Sequence, residues 1–407
     1  MNVQSHTEKY VHIIKDYVAN HYTKMLREPS GILAHRFIVP GSCYSEELWD
    51  WDSWLTDLAL RELNGIVNIA DYEKGCILNF LEHTDEYGKM PIVISSKRCG
   101  FDFVKKEETN IHKPILAQHA LYVCDQVGEA TWLQPYFDKL KKYIGFYFEH
   151  CRHESGLFYW LDDCAIGVDN DPCTFYRPDK SSASILLNCF MYKELLAMEA
   201  LSRKFAEEDS AVWYRDRADE LREVIQRECW DERDGFFYSV DLNLLPIDKT
   251  QILHAGSPRH WNCLLQRIEV WSGFLAMWAG IATQAQAERM VREHYLNPKT
   301  FYAPYGVRTL SKMEKMYLVE TSCNPSCWLG PVWGISNYMV FEGLRMYGFA
   351  HEVRELAEKT IELFGKDIEK CGEMHEYYDP ETGEGISNQG FQSWNFLVLN
   401  MIRCLKQ

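Results

Sequence analysis

Helical periodicity, and the lengths of what lies between the helices, constrain this chain more than any other feature. Apolar residues recur at i, i+3, i+4 and i+7 in about twelve segments, near 5–27, 49–64, 68–82, 115–128, 132–150, 182–204, 208–228, 266–278, 283–293, 334–347, 350–368 and 391–405. Strand-like alternation is almost absent. The connections run long at 28–48, 83–114, 151–181, 229–265, 294–333 and 369–390, and short at 65–67, 129–131, 205–207, 279–282 and 348–349. Antiparallel neighbours put successive connections at opposite ends, so this alternation sends every long loop to one face. The pattern predicts an all-α fold: an (α/α)6 barrel of six helical hairpins with long loops on one face, and a pit opening there. A right-handed stack of hairpins is the rival, but no repeat of fixed period supports it. No Pro/Ser-rich linker interrupts the chain, so residues 1–407 read as a single domain.

Charge narrows the ligand. Lys+Arg number 43 against 59 Asp+Glu, a net −16, and such a surface repels phosphate backbones, which makes nucleic acid a poor partner. The 14 cysteines are scattered, and Met1–Tyr10 lacks the basic stretch and apolar core of a signal peptide, so reduced thiols in a cytoplasm are expected. The longest apolar run, Trp271–Ala282, is about 12 residues, short of a spanning helix; no membrane segment is expected. The 13 Trp, 23 Tyr and 20 Phe fall often in Gly/Pro/Asn-rich connections, where flat rings suit sugars as well as they seal a core.

Four long loops carry the candidates. The first holds Tyr44 to Trp54, with Trp49, Trp51 and Asp52 at a helix start; Asp52 is read as a ligand for sugar hydroxyls, with Asp52 or Ser53 as a helix cap the bland alternative. The third loop holds Trp160, Asp162, Asp163 and Gly167-Val168-Asp169-Asn170-Asp171-Pro172. A turn accounts for most such strings, yet small and apolar Gly167 and Val168 beside Asp169 are surroundings that raise a carboxyl pKa. The fifth carries Cys323 to Gly334 with Trp328, Gly330 and Trp333; its lone C-x3-C makes zinc a poor expectation. The last holds His375-Glu376-Tyr377-Tyr378-Asp379-Pro380-Glu381-Thr382-Gly383. With no H-E-x-x-H, Walker loop or G-x-G-x-x-G, neither a metal nor a nucleotide cofactor is expected. Carboxylates and aromatics remain. Two carboxyls across a pit, one protonated and one ionised, are the apparatus of glycoside hydrolysis, and loops 151–181 and 369–390 supply them. A wet pit favours water as nucleophile, hence inversion.

At these residues the sequence resembles a family. Gly41 to Trp54 is similar to the "PGG…WDS" segment of clan G glycoside hydrolases, which contains the trehalases and family 63. Gly167 to Pro172 resembles the "G-x-D-N-S-P" acid loop of short bacterial family 63 enzymes, and His112-Lys113-Pro114-Ile115-Leu116-Ala117 their "Q-P-P-x-x-A". Tyr305 to Ser311, Trp328 to Trp333 and His375 to Gly383 match later segments, the last resembling the base-bearing "E-x-Y-x-P-x-T-G". The matches run collinearly from position 40 to 396. The resemblance implies an inverting (α/α)6 enzyme with Asp169 as general acid and Glu376 as general base. It implies a sugar site bordered by Trp49, Trp51, Asp52, Gln118, Trp160, Asn170, Trp328, Gly330, Trp333, Tyr377 and Trp394, and a small soluble carbohydrate as the ligand, an α-glucoside, α-mannoside or glycosylglycerate.

Three departures bear on the aglycone. Leu329 stands where the family carries arginine, Cys173 follows Pro172 in place of arginine, and Lys113 replaces a proline. Lys113, Arg177 and Arg308 are the cations available to compensate. Two other functions compete with the hydrolase. An N-acylglucosamine 2-epimerase-type isomerase uses a similar barrel and paired histidines, for which His119, His254, His260 and His375 are available. A silent sugar-binding scaffold would need no carboxylates.

Overall fold

The computed structural model describes residues 3–63, 68–101, 108–255, 259–320 and 326–405. Its helices alternate between two compositions. In α2 (Asp50–Leu60) every residue but Leu58 is buried, and in α6 (Ile185–Lys204) apolar residues lie on all sides; such helices must be covered all round. By contrast α7 (Glu208–Glu228) buries only the stripe Ala211, Tyr214, Ala218, Leu221, Val224 and Ile225, and α11 (Ala350–Cys371) a similar one. One set therefore forms an inner ring and the other an outer sleeve. The inner ring is α2, α4 (Leu116–Val127), α6, α8 (Leu275–Trp278), α10 (Gly334–Met346) and α12 (Val398–Cys404) with the turn Ser393–Leu397 before it. The others are α1 (Val3–His21), α3 (Ala70–Glu82), α5 (Phe137–His150), α7, α9 (Gln284–Arg289) and α11. One apolar core runs from Tyr10 to Ile402. The fold is the (α/α)6 barrel that loop alternation predicts.

Three segments differ from a plain helix. Trp271–Phe274 is a 3-10 turn before the single α turn of α8, α9 continues as a π-turn over Met290–Tyr295, and Ser393–Leu397 is 3-10. The first helix stops at His21 because Leu26–Arg27 pairs with Phe37–Ile38. The near-absence of strands is corrected in the same way: strands of two or three residues lie in the long loops, too short for period-2 patterning to register.

Those strands stitch the loop face together. Glu47–Trp49 of the first long loop pairs with Val93–Ser95 of the second. Ser182–Ala183, at the end of the third, pairs with Ser239–Asp241 of the fourth. Bridges join Val270 to Leu310 and Gly41 to Phe391, and Val332–Trp333 of the fifth loop pairs with Tyr377–Tyr378 of the sixth. Between the second and third loops a side chain does this work: Asn110 donates to the carbonyls of Asp162 and Cys164 and accepts from Leu161 N–H at 2.8 Å. The inner helices all begin on this face. Glu194 of α6 fixes one beginning, accepting the N–H groups of Ala117 and Gln118 at 2.6 and 3.1 Å. No described helix is long and apolar enough to cross a membrane, and the described cysteines are free thiols.

Candidate active site

Three carboxyls from three loop ends share one electrostatic neighbourhood. Asp52 lies in the first turn of α2, Asp169 in the third loop and Glu376 at the start of the strand Tyr377–Tyr378. Each is held by a neutral donor. Ser393 donates to Asp52 Oδ1 at 2.9 Å, Asn388 donates to Glu376 Oε2 at 3.1 Å, and the Ser326 hydroxyl bonds to Asp169. Helix α2 has Trp49 at its cap position with no side-chain cap bond, so Asp52 is engaged with Ser393 and does not cap the helix.

Burial drives all three pKa values upward. Desolvation raises Asp52 to about 7, opposed by the Ser393 bond. Glu376 reaches about 8, through desolvation first and then repulsion by Asp52 and Asp169, opposed by Asn388. Asp169 is raised by desolvation, held back by Ser326 and the charge of Lys113. The sequence reading expects Asp169 to be the protonated partner and Glu376 the ionised one. Among the described residues the charge of Lys113 holds Asp169 and Asp52 back, while Glu376 has those two acids beside it. The three behave as a coupled set sharing protons.

Gly167 makes the acid loop fit. Its φ of +92° suits glycine, and a Cβ there would meet Trp51 at 2.8 Å and the Lys113 chain at 2.7 Å. The predicted aromatics sort into two kinds. Trp328 and Trp333 stack face to face at 3.9 Å, Tyr377 continues the stack at 4.8 Å, and Trp51 and Trp394 meet edge to face at 5.2 Å beside it. These rings are nearly fully buried, and their faces are taken by one another. Trp49 is half-buried, between Tyr44 and Phe101; it is the open platform among the candidates. Asn170 accepts from Trp328 N–H at 2.6 Å while its Nδ2, like the indole nitrogens of Trp160 and Trp394, is buried without a partner among the described residues. The Gly330 N–H donates to Thr309 at 3.2 Å and the residue packs against Tyr317. Gln118 turns elsewhere: its Nε2 donates to the carbonyls of Pro114 and Phe190, and it lines a cavity among the inner helices.

The compensating cations are all engaged. Lys113 is buried in a pair with Asp50 at 3.1 Å and lies 5.0 Å over the Trp51 ring; Arg177 pairs with Asp241, and Arg308 with Glu381 and backbone carbonyls. The four histidines do not converge. His119 pairs with Asp57 and His375 with Asp367, His254 accepts from Asp248 N–H, and His260 lies against Trp261. Residues the sequence reading did not single out are Tyr44, whose phenol feels all three carboxylates, and the positioning donors Ser326, Asn388 and Ser393. Tyr44 stands inside the matched first segment, which is the signal for it; lone Ser and Asn carry none. Cys323, Asn324 and Pro325 lie outside the described residues.

The chain is similar to known proteins in sequence and in fold. The family model described as "Mannosylglycerate hydrolase MGH1-like glycoside hydrolase domain" matches residues 45–395. A mannosylglycerate hydrolase of Thermus thermophilus is 30% identical over 174 residues, 42% of this chain and 34% of that protein. A cytosolic neutral trehalase of Kluyveromyces lactis is 23% identical over 413 residues, 85% of this chain and 51% of that protein. The chain thus spans between a third and about half of these two relatives. Among solved structures, the family 63 mannosylglycerate hydrolase of Thermus thermophilus in complex with glucose superposes with a TM-score of 0.68 at 20% identity, covering 96% of this chain and 98% of that one. The neutral trehalase of Saccharomyces cerevisiae gives 0.64 at 20%, covering 91% and 73%. At these identities the superpositions show the barrel.

Proposed function

The chain belongs to the MGH1-like glycoside hydrolase domain family, and from that membership and the site we infer an inverting, exo-acting α-glycosidase of small α-glucosides or α-mannosides. The observation that supports this is that Asp52, Asp169 and Glu376, from three loop ends, feel one another's charge and are each held by a neutral donor. In this reading Asp169 gives its proton to the glycosidic oxygen as the C–O bond breaks. Glu376 takes a proton from the water that attacks the anomeric carbon from the other side. Inversion needs about 6.5–9.5 Å between those carboxyls, room for the water. Asp52 accepts from hydroxyls of the terminal sugar, and Trp49 stacks on it; Trp51, Trp328, Trp333, Tyr377 and Trp394 act from behind as the rigid wall.

Because Lys113, Arg177 and Arg308 are all paired, the described residues favour a neutral aglycone over a glycerate. Dispersal of the four histidines leaves the isomerase without a paired base. The deciding experiment is a panel of α-linked disaccharides and glycosylglycerates, with the anomer of the first product followed by NMR. A β-sugar released first is the expected result. Release of the α-anomer overturns inversion, and deuterium entering a carbon position with no bond cleaved overturns hydrolysis.

A further inference from the structure

The inner ring also lines a cavity of about 480 Å³ built from residues outside the carboxyl cluster, within the size range of small-molecule sites. It is lined from α2, α4, α6, α8 and α10, and along α4 it runs from Gln118 in the first turn to Asp125 near the end. An inner ring packed only for stability would close this space with apolar side chains. Instead the wall carries polar groups without partners among the described residues.

Gln118 is about nine-tenths buried, and its amide is fixed by two Nε2 bonds, to Pro114 O at 3.1 Å and Phe190 O at 3.2 Å. That orientation leaves Oε1 buried and without a donor, a loss that an incoming hydroxyl or amide N–H would make good. Lys193 of α6 places its ammonium 4.4 Å over the Trp278 ring, with no carboxylate in ion-pair range among the described residues. Burial lowers its pKa. The two acids on the same wall are already neutralised: Glu342 pairs with Arg345 at 2.7 Å, and Asp125 with Lys204 at 2.8 Å. Lys193 is thus left outside these ion pairs, with the charge of Glu342 acting on it from beyond ion-pair range. The hydroxyls of Tyr122 and Tyr338, which make no hydrogen bond among the described residues, complete the wall.

We propose that this cavity binds a small polyhydroxylated anion, its anionic head on Lys193 and its hydroxyls on Gln118, Tyr122 and Tyr338, at a site separate from the carboxyl cluster. The chemistry follows from the donor set. An acceptor that needs a donor and phenols that both give and accept match hydroxyls, and an ammonium against an indole in a desolvated pocket matches one carboxylate or phosphate. Sugar acids and sugar phosphates share that chemistry. The inference does not rest on the glycosidase reading, since none of its residues belongs to the carboxyl cluster.

Calorimetry on the full chain with gluconate, glucose 6-phosphate and glucose as probes tests it, using wild type, Lys193→Met and Gln118→Glu. The expected result is saturable binding of gluconate, glucose 6-phosphate or both, weakened about tenfold or more by either substitution. Binding of gluconate alone assigns a carboxylate head, and of glucose 6-phosphate alone a phosphate. Absence of saturable binding at millimolar concentrations overturns the proposal, as does binding that both variants keep unchanged. Should a variant fail to fold, diffraction from wild-type crystals soaked in the same probes decides: density against Lys193 supports the site, and a cavity holding only water under saturating probe overturns it.

Discussion

Two of the three buried acids of helix α2, Asp52 and Asp57, stand a little over one turn apart, and their surroundings could hardly differ more. Asp52 joins Asp169 and Glu376 on the loop face with neutral donors for company. Asp57 accepts from the ring of His119 at 2.9 Å and is bonded to Glu73, which in turn receives a bidentate fork from Arg61. Burial raises pKa values in both clusters, Asp57 to about 6 and Glu73 to about 9. A perturbed carboxyl is therefore no mark of function by itself. Charge balance separates the two. The lower cluster brings its own cation and lies between α2, α3 and α4, where it locks them together. The upper cluster leaves three acids beside one cation, Lys113, that Asp50 already holds.

Glu376→Gln and Asp169→Asn should break the comparison most visibly, each costing about 10⁴-fold in kcat on a substrate with a poor leaving group. An activated α-glycosyl fluoride splits them. Fluoride leaves without a proton, so Asp169→Asn should recover most of its activity while Glu376→Gln recovers little. The reverse result would exchange the two roles. Asp52→Asn leaves a sugar hydroxyl without its acceptor and should lose on the order of 10⁴ in kcat/KM; near-normal activity would reduce Asp52 to a structural partner of Ser393.

The contrast also explains what the sequence disclosed. Twelve helices and the loop face were legible because periodicity and connection length are properties of the chain itself. Asp52, Asp169 and Glu376 were legible through strings with glycine and tryptophan around them, and Gly167 shows the physical basis, since any side chain there would strike Trp51 and Lys113. The pairing of Asp50 with Lys113 was not legible, nor was the burial of Trp328 and Trp333 against Trp271 and Tyr377, because both arise where residues more than 40 positions apart meet. Gln118 illustrates the same limit: a polar residue beside a matched segment turned one way or the other according to contacts with Phe190 on another helix.

In the lower cluster the expected loss is of stability. Arg61→Ala leaves Asp57 and Glu73 without their cation, which should cost about 3–5 kcal/mol in urea unfolding. The kcat/KM of the surviving folded protein should stay within a few-fold of wild type. A variant that kept its stability and lost its activity would erase the distinction between the clusters.

Stability against pH gives a smaller test. Asp52 and Glu376 have folded pKa values of about 7 and 8, raised from ordinary values of 3.8 and 4.5. A raised carboxyl binds its proton more tightly in the folded state, so the stability it contributes is present below the ordinary value and disappears as pH climbs through the folded one. Glu376→Gln removes that penalty. Between pH 5 and about 9 the variant should fall less steeply than wild type, by a few kcal/mol at most, and at the alkaline end it should melt higher. Parallel curves would show that Glu376 sits in a wetter site than its burial indicates.

The finest distinction lies in one hydrogen bond. Asn388 donates to Glu376 at 3.1 Å and favours its ionised form. Asn388→Ala removes the donor, so the Glu376 pKa moves up, and a general base with a higher pKa is ionised over less of the neutral range. The acidic limb of kcat/KM should shift toward higher pH by roughly one unit or less, the worth of a single bond to a charge. The alkaline limb, set by the proton on Asp169, should move less, since Asn388 makes no bond to that carboxyl. Activity measured well above the shifted limb should return close to wild type, which a merely structural loss would not do. A uniform drop across the profile would place Asn388 in the scaffold of the loop and leave Glu376 tuned by burial and its two acidic neighbours.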